Sequence, residues 1–296
     1  NKQKRNDLRQ VGLAMVVSKE DHIPLFHHSY QGNLHDGTVF SEVVEKIKDR
    51  MVSLGLKQNR HTLVFDRGNN SKENLSIVKG LGFYYVGALT PYHHRGIIER
   101  AMENTPEAVD LENETLAVYR EKGDIWGDQR TVVVFVSDRL KAGQIRGIYQ
   151  SLTKKEKSLQ ELQKSLANPR GRKRNRKDLE KKIKIIVSGQ YLKGILKWEL
   201  RETKEGKFVL DYQVDQEQLQ CTGDKLGFRM IMTNRHAWTS REIISAFYGQ
   251  SKIEHAFRDL KNPFHLALKP QHHWTDQKIK VHYFICVIGY LLSTII

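Results

Sequence analysis

Two carboxylates and a set of cations carry the residue types and spacings that could act together: Asp66, Glu254, Lys261 and the basic residues between 170 and 177. Glu254 lies in the stretch TSREIISAFYGQSKIEHAFRDLK, residues 239–261. Ile243, Ala246, Ile253, Phe257 and Leu260 recur there at three- and four-residue steps, which predicts one uninterrupted amphipathic helix. Thr239 and Glu242 form a capping box at its start, and Asn262-Pro263 ends it. Phe247, Glu254 and Lys261 fall on the row beside the apolar seam. A carboxylate at the margin of a buried seam costs free energy unless it is paired or holds a cation. Glu254 is therefore either a ligand or a salt-bridge partner, and Arg258 offers an i,i+4 pair. Asp66 ends the apolar strand 61–65, where α/β sheets place ligands and catalytic groups. The same residue type also caps a turn such as Asp66-Arg67-Gly68.

Arg170, Arg172, Lys173, Arg174, Arg176 and Lys177 cluster at a turn between two leucine- and isoleucine-rich arms. From Lys154 to Lys184 there are thirteen Lys or Arg against Glu156, Glu161, Asp178 and Glu180. Concentrated positive charge suits phosphate contact better than base reading, although a charge run also serves as a solvated face. The whole chain of 296 residues carries a formal net charge of +15 with a pI near 9.6. That excess points to a polyanionic partner, nucleic acid rather than a membrane. Lys261, at a helix end, either holds a phosphate as a point charge or is a solvated cation favoured by the helix dipole.

The elements that must position these groups follow from the pattern. Residues 10–18 and 23–30 read as a hairpin, and 38–54, with Val39, Val43, Val44, Ile47 and Met51, as a helix leading into strand 61–65. A helix over 71–80 and a strand over 83–89 come next, and this alternation predicts an α/β sheet. Short strands are expected at 116–120, 130–136, 195–202, 207–214 and 227–233. Leu152, Leu159, Leu162 and Leu166 mark one arm of a helical hairpin, and Leu179, Ile183 and Ile186 the other. Residues 91–223 read as an insertion, dividing the chain into 1–90, 91–223 and 224–296.

Several functions lack their signatures. There is no Gly-x-Ser-x-Gly, no phosphate-binding Gly-x-x-x-x-Gly-Lys and no dinucleotide fingerprint. Cys221 and Cys286 form no disulfide framework, and the pairs His27-His28, His93-His94 and His272-His273 are weak as zinc sites, because adjacent residues diverge. The start, NKQKRNDLRQ, has no apolar leader segment. The run 283–296 is too short to span a bilayer and reads as a buried helix. The chain is expected to be cytoplasmic and nucleoid-associated, and to be a fragment.

The pattern I-E-x-x-F-R-x-L-K, with a Pro and a His pair beyond it, resembles the C-terminal signature of DDE transposases of insertion-sequence family four. That signature is Tyr, two residues, Arg, three residues, Glu, six residues, Lys. Glu254 and Lys261 match in type and spacing, while Phe247 stands in the Tyr position and Gln250 in the Arg position; Tyr248 lies one place off. The resemblance extends to residues 6–10, Gly32-Asn33 with Asp36, the strand end 64–68, and 270–273. It implies a ribonuclease-H-like mixed sheet with a β-rich and helical insertion between the strand of the second carboxylate and the helix of the last. It implies Mg²⁺- or Mn²⁺-dependent hydrolysis at element ends and strand transfer into target DNA, by a homodimer in the active complex. Carboxylates holding two metal ions about 3.5 to 4 Å apart serve both steps. Asp66 and Glu254 become the metal ligands, and the first catalytic Asp is expected upstream of residue 1; Asp7 and Asp36 read as loop or cap residues. Two other readings stay open: a degenerate or truncated transposase that binds DNA without cutting it, and a basic nucleic-acid-binding protein without metal chemistry.

Overall fold

In this computed structural model, residues 10–34, 36–112, 114–168, 175–203, 206–269 and 272–295 are described. The chain divides into two compact units, Asn1–Phe135 with Arg229–Ile296, and Val136–Phe228.

In the first unit, β1 (Val11–Val17) and β2 (Pro24–Gln31) form the expected antiparallel hairpin. Its turn is closed by Ser18, whose backbone N–H donates to Ile23 O while its hydroxyl accepts from Ile23 N, both at 2.9 Å. This hairpin is a sheet of its own and does not pair with the larger one. Helix α1 (Asp36–Ser53) buries Val39, Val43, Val44 and Ile47, as its periodicity predicts. Strand β3 (Thr62–Phe65), helix α2 (Lys72–Gly80, capped by Ser71) and strand β4 (Tyr84–Leu89) then form a parallel β–α–β unit.

Helix α3 (Arg95–Glu103) and strands β5 (Glu107–Asp110), β6 (Thr115–Ile125) and β7 (Asp128–Val136) come after it. Trp126 and Gly127, at φ 59° and 87°, make the two-residue turn between β6 and β7, a geometry matched to strand twist. Together with β10 (Phe228–Thr233) these strands complete a mixed six-stranded sheet in the order β3-β4-β10-β7-β6-β5, with β3–β4 its one parallel pair. The insertion expected over 91–223 is therefore corrected to begin after β7. Thr131 to Phe135 are buried without alternation, the mark of an inner strand whose two faces are both covered.

The second unit holds α4 (Asp138–Ala167), α5 (Arg176–Val187), the hairpin β8 (Leu196–Glu202) with β9 (Phe208–Val214), and α6 (Gln216–Asp224). The arms meet as the leucine spacing predicts. Leu152, Leu159, Leu162, Leu179 and Ile183 are buried together with Leu200 and Leu210 of the hairpin, and Leu166 and Ile186 pack at the edge.

The helix expected over 239–261 is two helices, α7 (Ser240–Tyr248) and α8 (Ser251–Lys261). The Thr239–Glu242 capping box is present, and α8 ends at Asn262. Gly249 and Gln250 keep helical dihedrals, but the hydrogen bonds tighten to three-residue steps: Gln250 N to Phe247 O and Lys252 N to Gly249 O, both 3.0 Å. A stretch of this kind winds at three residues per turn and re-phases the residues beyond it. The two halves accordingly serve different cores. Ile243, Ile244, Ala246 and Phe247 pack on the six-stranded sheet, whereas Ala256 and Leu260 pack with Met15 of β1 and with the last helix, α9 (Asp276–Ile295).

The reading of 283–296 as a buried helix is also corrected. Only the stripe Tyr283, Cys286, Val287 and Tyr290 is buried, at i, i+3, i+4 and i+7 spacing, while Val281, Phe284, Ile285, Ile288, Leu292 and Ile295 are exposed. Starting at Asp276, α9 has 20 residues and is long and apolar enough to cross a membrane by length and composition.

Candidate metal and nucleic-acid site

Asp66 stands directly beyond the carboxyl end of β3, the edge strand of the parallel pair. Phe65 pairs with Gly87, and on the other side of β4, Leu89 pairs with Met230 of β10. The carboxyl ends of β3 and β4 and the start of β10, with Arg229, therefore share one edge of the sheet. The loop after Asp66 is fastened to this edge by Asn70, whose Nδ2 donates to Ala88 O at 2.5 Å. Gly87 makes room for it: a Cβ there would lie 2.5 Å from Asn70 Oδ1. Asp66 itself is exposed, and its Oδ1 accepts from Arg67 N at 2.7 Å, capping a 3₁₀ turn over Arg67–Asn69. The turn-capping role is thus realised, and the second carboxylate oxygen has no partner among the described residues.

Glu254 lies in the first turn of α8 and is also exposed. The tightening at Gly249 rotates α8 so that Ala256 and Leu260 face inward, and the cost expected for a carboxylate at a buried margin does not arise. Nor is there an ion pair with Arg258 or with any other described residue. Among the described residues, no group of three or more His, Cys, Asp or Glu is gathered where it could hold a metal ion. Carboxylate oxygens are the right donor type for a hard divalent cation, but Asp66 and Glu254 do not supply the number. The described residues by themselves do not complete a metal site.

The other signature positions are occupied structurally. Phe247 is buried on the sheet, with the Arg229 guanidinium 5.9 Å from its ring centre. Tyr248 donates its hydroxyl to Glu114 Oε1, and Gln250 lies in the bend. Lys261 is exposed, its Nζ 5.1 Å from the centre of the Phe257 ring. Arg229 escaped the sequence reading. It is adjacent in sequence to nothing that signals a site, and only the β4–β10 register brings it to this edge; its Nε is buried without a partner among the described residues.

Of the basic cluster, Arg170, Arg172, Lys173 and Arg174 lie outside the described residues. Arg176 pairs with Glu180 at 2.9 Å and donates to Leu200 O at 3.3 Å, so its fork holds α5 to β8. Lys177 is exposed in the first turn of α5. His27 and His28 diverge, as adjacent positions on a strand do. His28 Nε2 lies 3.3 Å from Glu42, while the His27 ring sits 6.0 Å from that of Phe284. Burial lowers the pKa of both, and next after burial come Lys46 for His28 and His28 for His27.

Compared with known proteins, the chain matches no family model and has no match among curated proteins.

Proposed function

We propose that the chain is the catalytic region of a DDE-type DNA transposase with a ribonuclease-H-like sheet. It would hydrolyse phosphodiesters at element ends and join them to target DNA. The observation that carries this reading is Asp66: an exposed carboxylate directly beyond the carboxyl end of the β3–β4 pair, in a chain of net charge +15. The reading takes Mg²⁺ or Mn²⁺ as cofactor, with Asp66 and Glu254 joined by a carboxylate from outside the described residues. Lys261 and the basic helical hairpin are the DNA contacts in this reading.

A second reading, DNA binding without cleavage, has its own support. Phe247 is buried as a core residue, the Tyr248 hydroxyl is committed to Glu114, and Gln250 lies in a bend rather than on a helix face. A plasmid nicking assay with Mg²⁺ and Mn²⁺, run beside a DNA-binding assay and a Mn²⁺ calorimetric titration, separates the two. Metal-dependent nicking lost with Asp66→Asn supports the transposase. A Mn²⁺ site lost with Asp66→Asn but no nicking supports a relic that binds DNA. DNA binding with neither leaves a basic binding protein.

A further inference from the structure

Helix α5 turns one face to its own core and the other to solvent. Leu179 and Ile183 are buried, while Lys177, Lys181 and Lys184 are exposed and line one shallow, open groove of about 410 Å³ beside the helix, together with Glu180, Ser188 and the exposed Ile185. The three lysines recur at four- and three-residue steps, and so form a stripe about 10 Å long on one face of the helix. None has an ion-pair partner among the described residues.

What makes this face more than a solvated run is how its negative features are cancelled from within. Glu180, the one acid lining the groove, is paired with Arg176 at 2.9 Å. The carbonyl end of α5, where the helix dipole is negative, is covered by Lys155, whose Nζ donates to Ile186 O at 2.6 Å and also to Ser188 O. Arg176 and Lys155 thus direct their charge to the helix itself, and the charge left over in the groove is that of the three lysines. Duplex DNA carries a backbone charge about every 1.7 Å of axis, so a stripe of this length spans about six.

We infer that the Lys177, Lys181 and Lys184 face of α5 is a docking surface for the phosphate backbone of duplex DNA, read by charge and not by sequence. This rests on the nucleic-acid part of the proposed function and needs none of its metal chemistry. The basic residues then divide into two groups, with Lys177, Lys181 and Lys184 meeting phosphate while Arg176 and Lys155 neutralise the helix.

The test is the salt dependence of binding to a mixed-sequence duplex, followed by fluorescence anisotropy. The triple variant Lys177→Ala, Lys181→Ala, Lys184→Ala is set beside Lys57→Ala, Lys193→Ala, Lys278→Ala, which removes the same charge from exposed lysines elsewhere. Each lost phosphate contact flattens the log–log slope by about 0.9, so the α5 variant should lose about 2.7 and the control little. Thermal unfolding of both, unchanged from the parent protein, excludes a folding defect; if the α5 variant unfolds early, Lys→Gln at the same three positions replaces it. An α5 variant with the parental slope overturns the docking surface while leaving DNA binding by the chain intact, as does an equal change in the control. Failure of the parent protein to bind DNA overturns the nucleic-acid reading itself.

Discussion

Tyr248 donates its phenolic hydroxyl to Glu114 Oε1 at 3.1 Å, across 134 residues of sequence. The residue next to it, Phe247, is buried on the sheet, and the one after it, Gly249, starts the bend between α7 and α8. This hydrogen bond therefore ties the end of α7 to the loop before β6 at the point where the chain changes core.

Burial, followed by the Glu114 carboxylate, pushes the Tyr248 phenol up to about 12 from its ordinary 10. The folded state then holds this proton longer than the unfolded chain does. The stabilisation is complete below pH 10 and is lost as pH rises from 10 towards 12. Tyr248→Phe should cost about 1 kcal/mol near neutral pH, from the lost hydrogen bond. It should also make the alkaline decline less steep. Urea unfolding from about pH 7 to 11 measures both, and an unchanged alkaline slope would show that Tyr248 does not cause the decline.

Asp66→Asn and Glu254→Gln should abolish metal-dependent nicking in a form of the protein that cuts DNA, while leaving DNA affinity and stability within about 0.5 kcal/mol of the parent protein. Asparagine caps a turn as well as aspartate does, so the Arg67 N–H keeps its acceptor. Glu254 is exposed and makes no ion pair among the described residues, so its amide disturbs no packing. Full nicking by either variant would end that residue's metal assignment.

Gly87→Ala tests how the loop after Asp66 is held. The new Cβ would meet Asn70 Oδ1 at 2.5 Å and Cγ at 3.1 Å, and Asn70 cannot retreat without releasing Ala88 O. A loss of about 1 to 3 kcal/mol is expected, the range for overpacking a tight site. Asn70→Gly in the same background should relieve the clash. If Gly87→Ala is neutral in denaturant unfolding, the contact does not hold the loop.

His236 supplies an acid-side signal. Burial first, then Lys122 and Arg120, lower its pKa below 6.5, and its Nδ1 lies 2.9 Å from Thr131 Oγ1. The unfolded chain takes up this proton more readily. Stability is therefore full above about pH 6.5 and falls as pH drops through that value towards the lowered one. The lowered histidines His27, His28 and His94 act in the same direction. His236→Gln should shrink the fall in melting temperature between about pH 7 and pH 5, measured by differential scanning fluorimetry, leaving the part due to the other three.

Much of the local structure was written in short-range patterns. The seam of α1, the facing leucines of α4 and α5, the Thr239–Glu242 cap, the stop at Asn262 and the strand ending on Asp66 each depend on residues within a few turns of one another. Neighbouring side chains and backbone dihedrals decide such features, so the sequence alone determines them. Three others were decided only by the tertiary structure. Gly249 and Gln250 have helical dihedrals, and a lone glycine in a helical pattern does not by itself specify a bend; what accompanies it is a change of core, with Ile243 and Ala246 packed on the six-stranded sheet and Ala256 and Leu260 against β1 and α9. That bend, in turn, moves Glu254 from a buried margin to the surface. The place of β6 and β7 depends on pairing with β10, about a hundred residues later, which no window of sequence contains. In α9 nearly every position from Tyr283 on is apolar, so periodicity could not say which face would be covered; the neighbours α8 and β1 bury only the Tyr283, Cys286, Val287 and Tyr290 stripe. Residue type sets what a side chain can do, but its exposure and partners depend on elements distant in sequence.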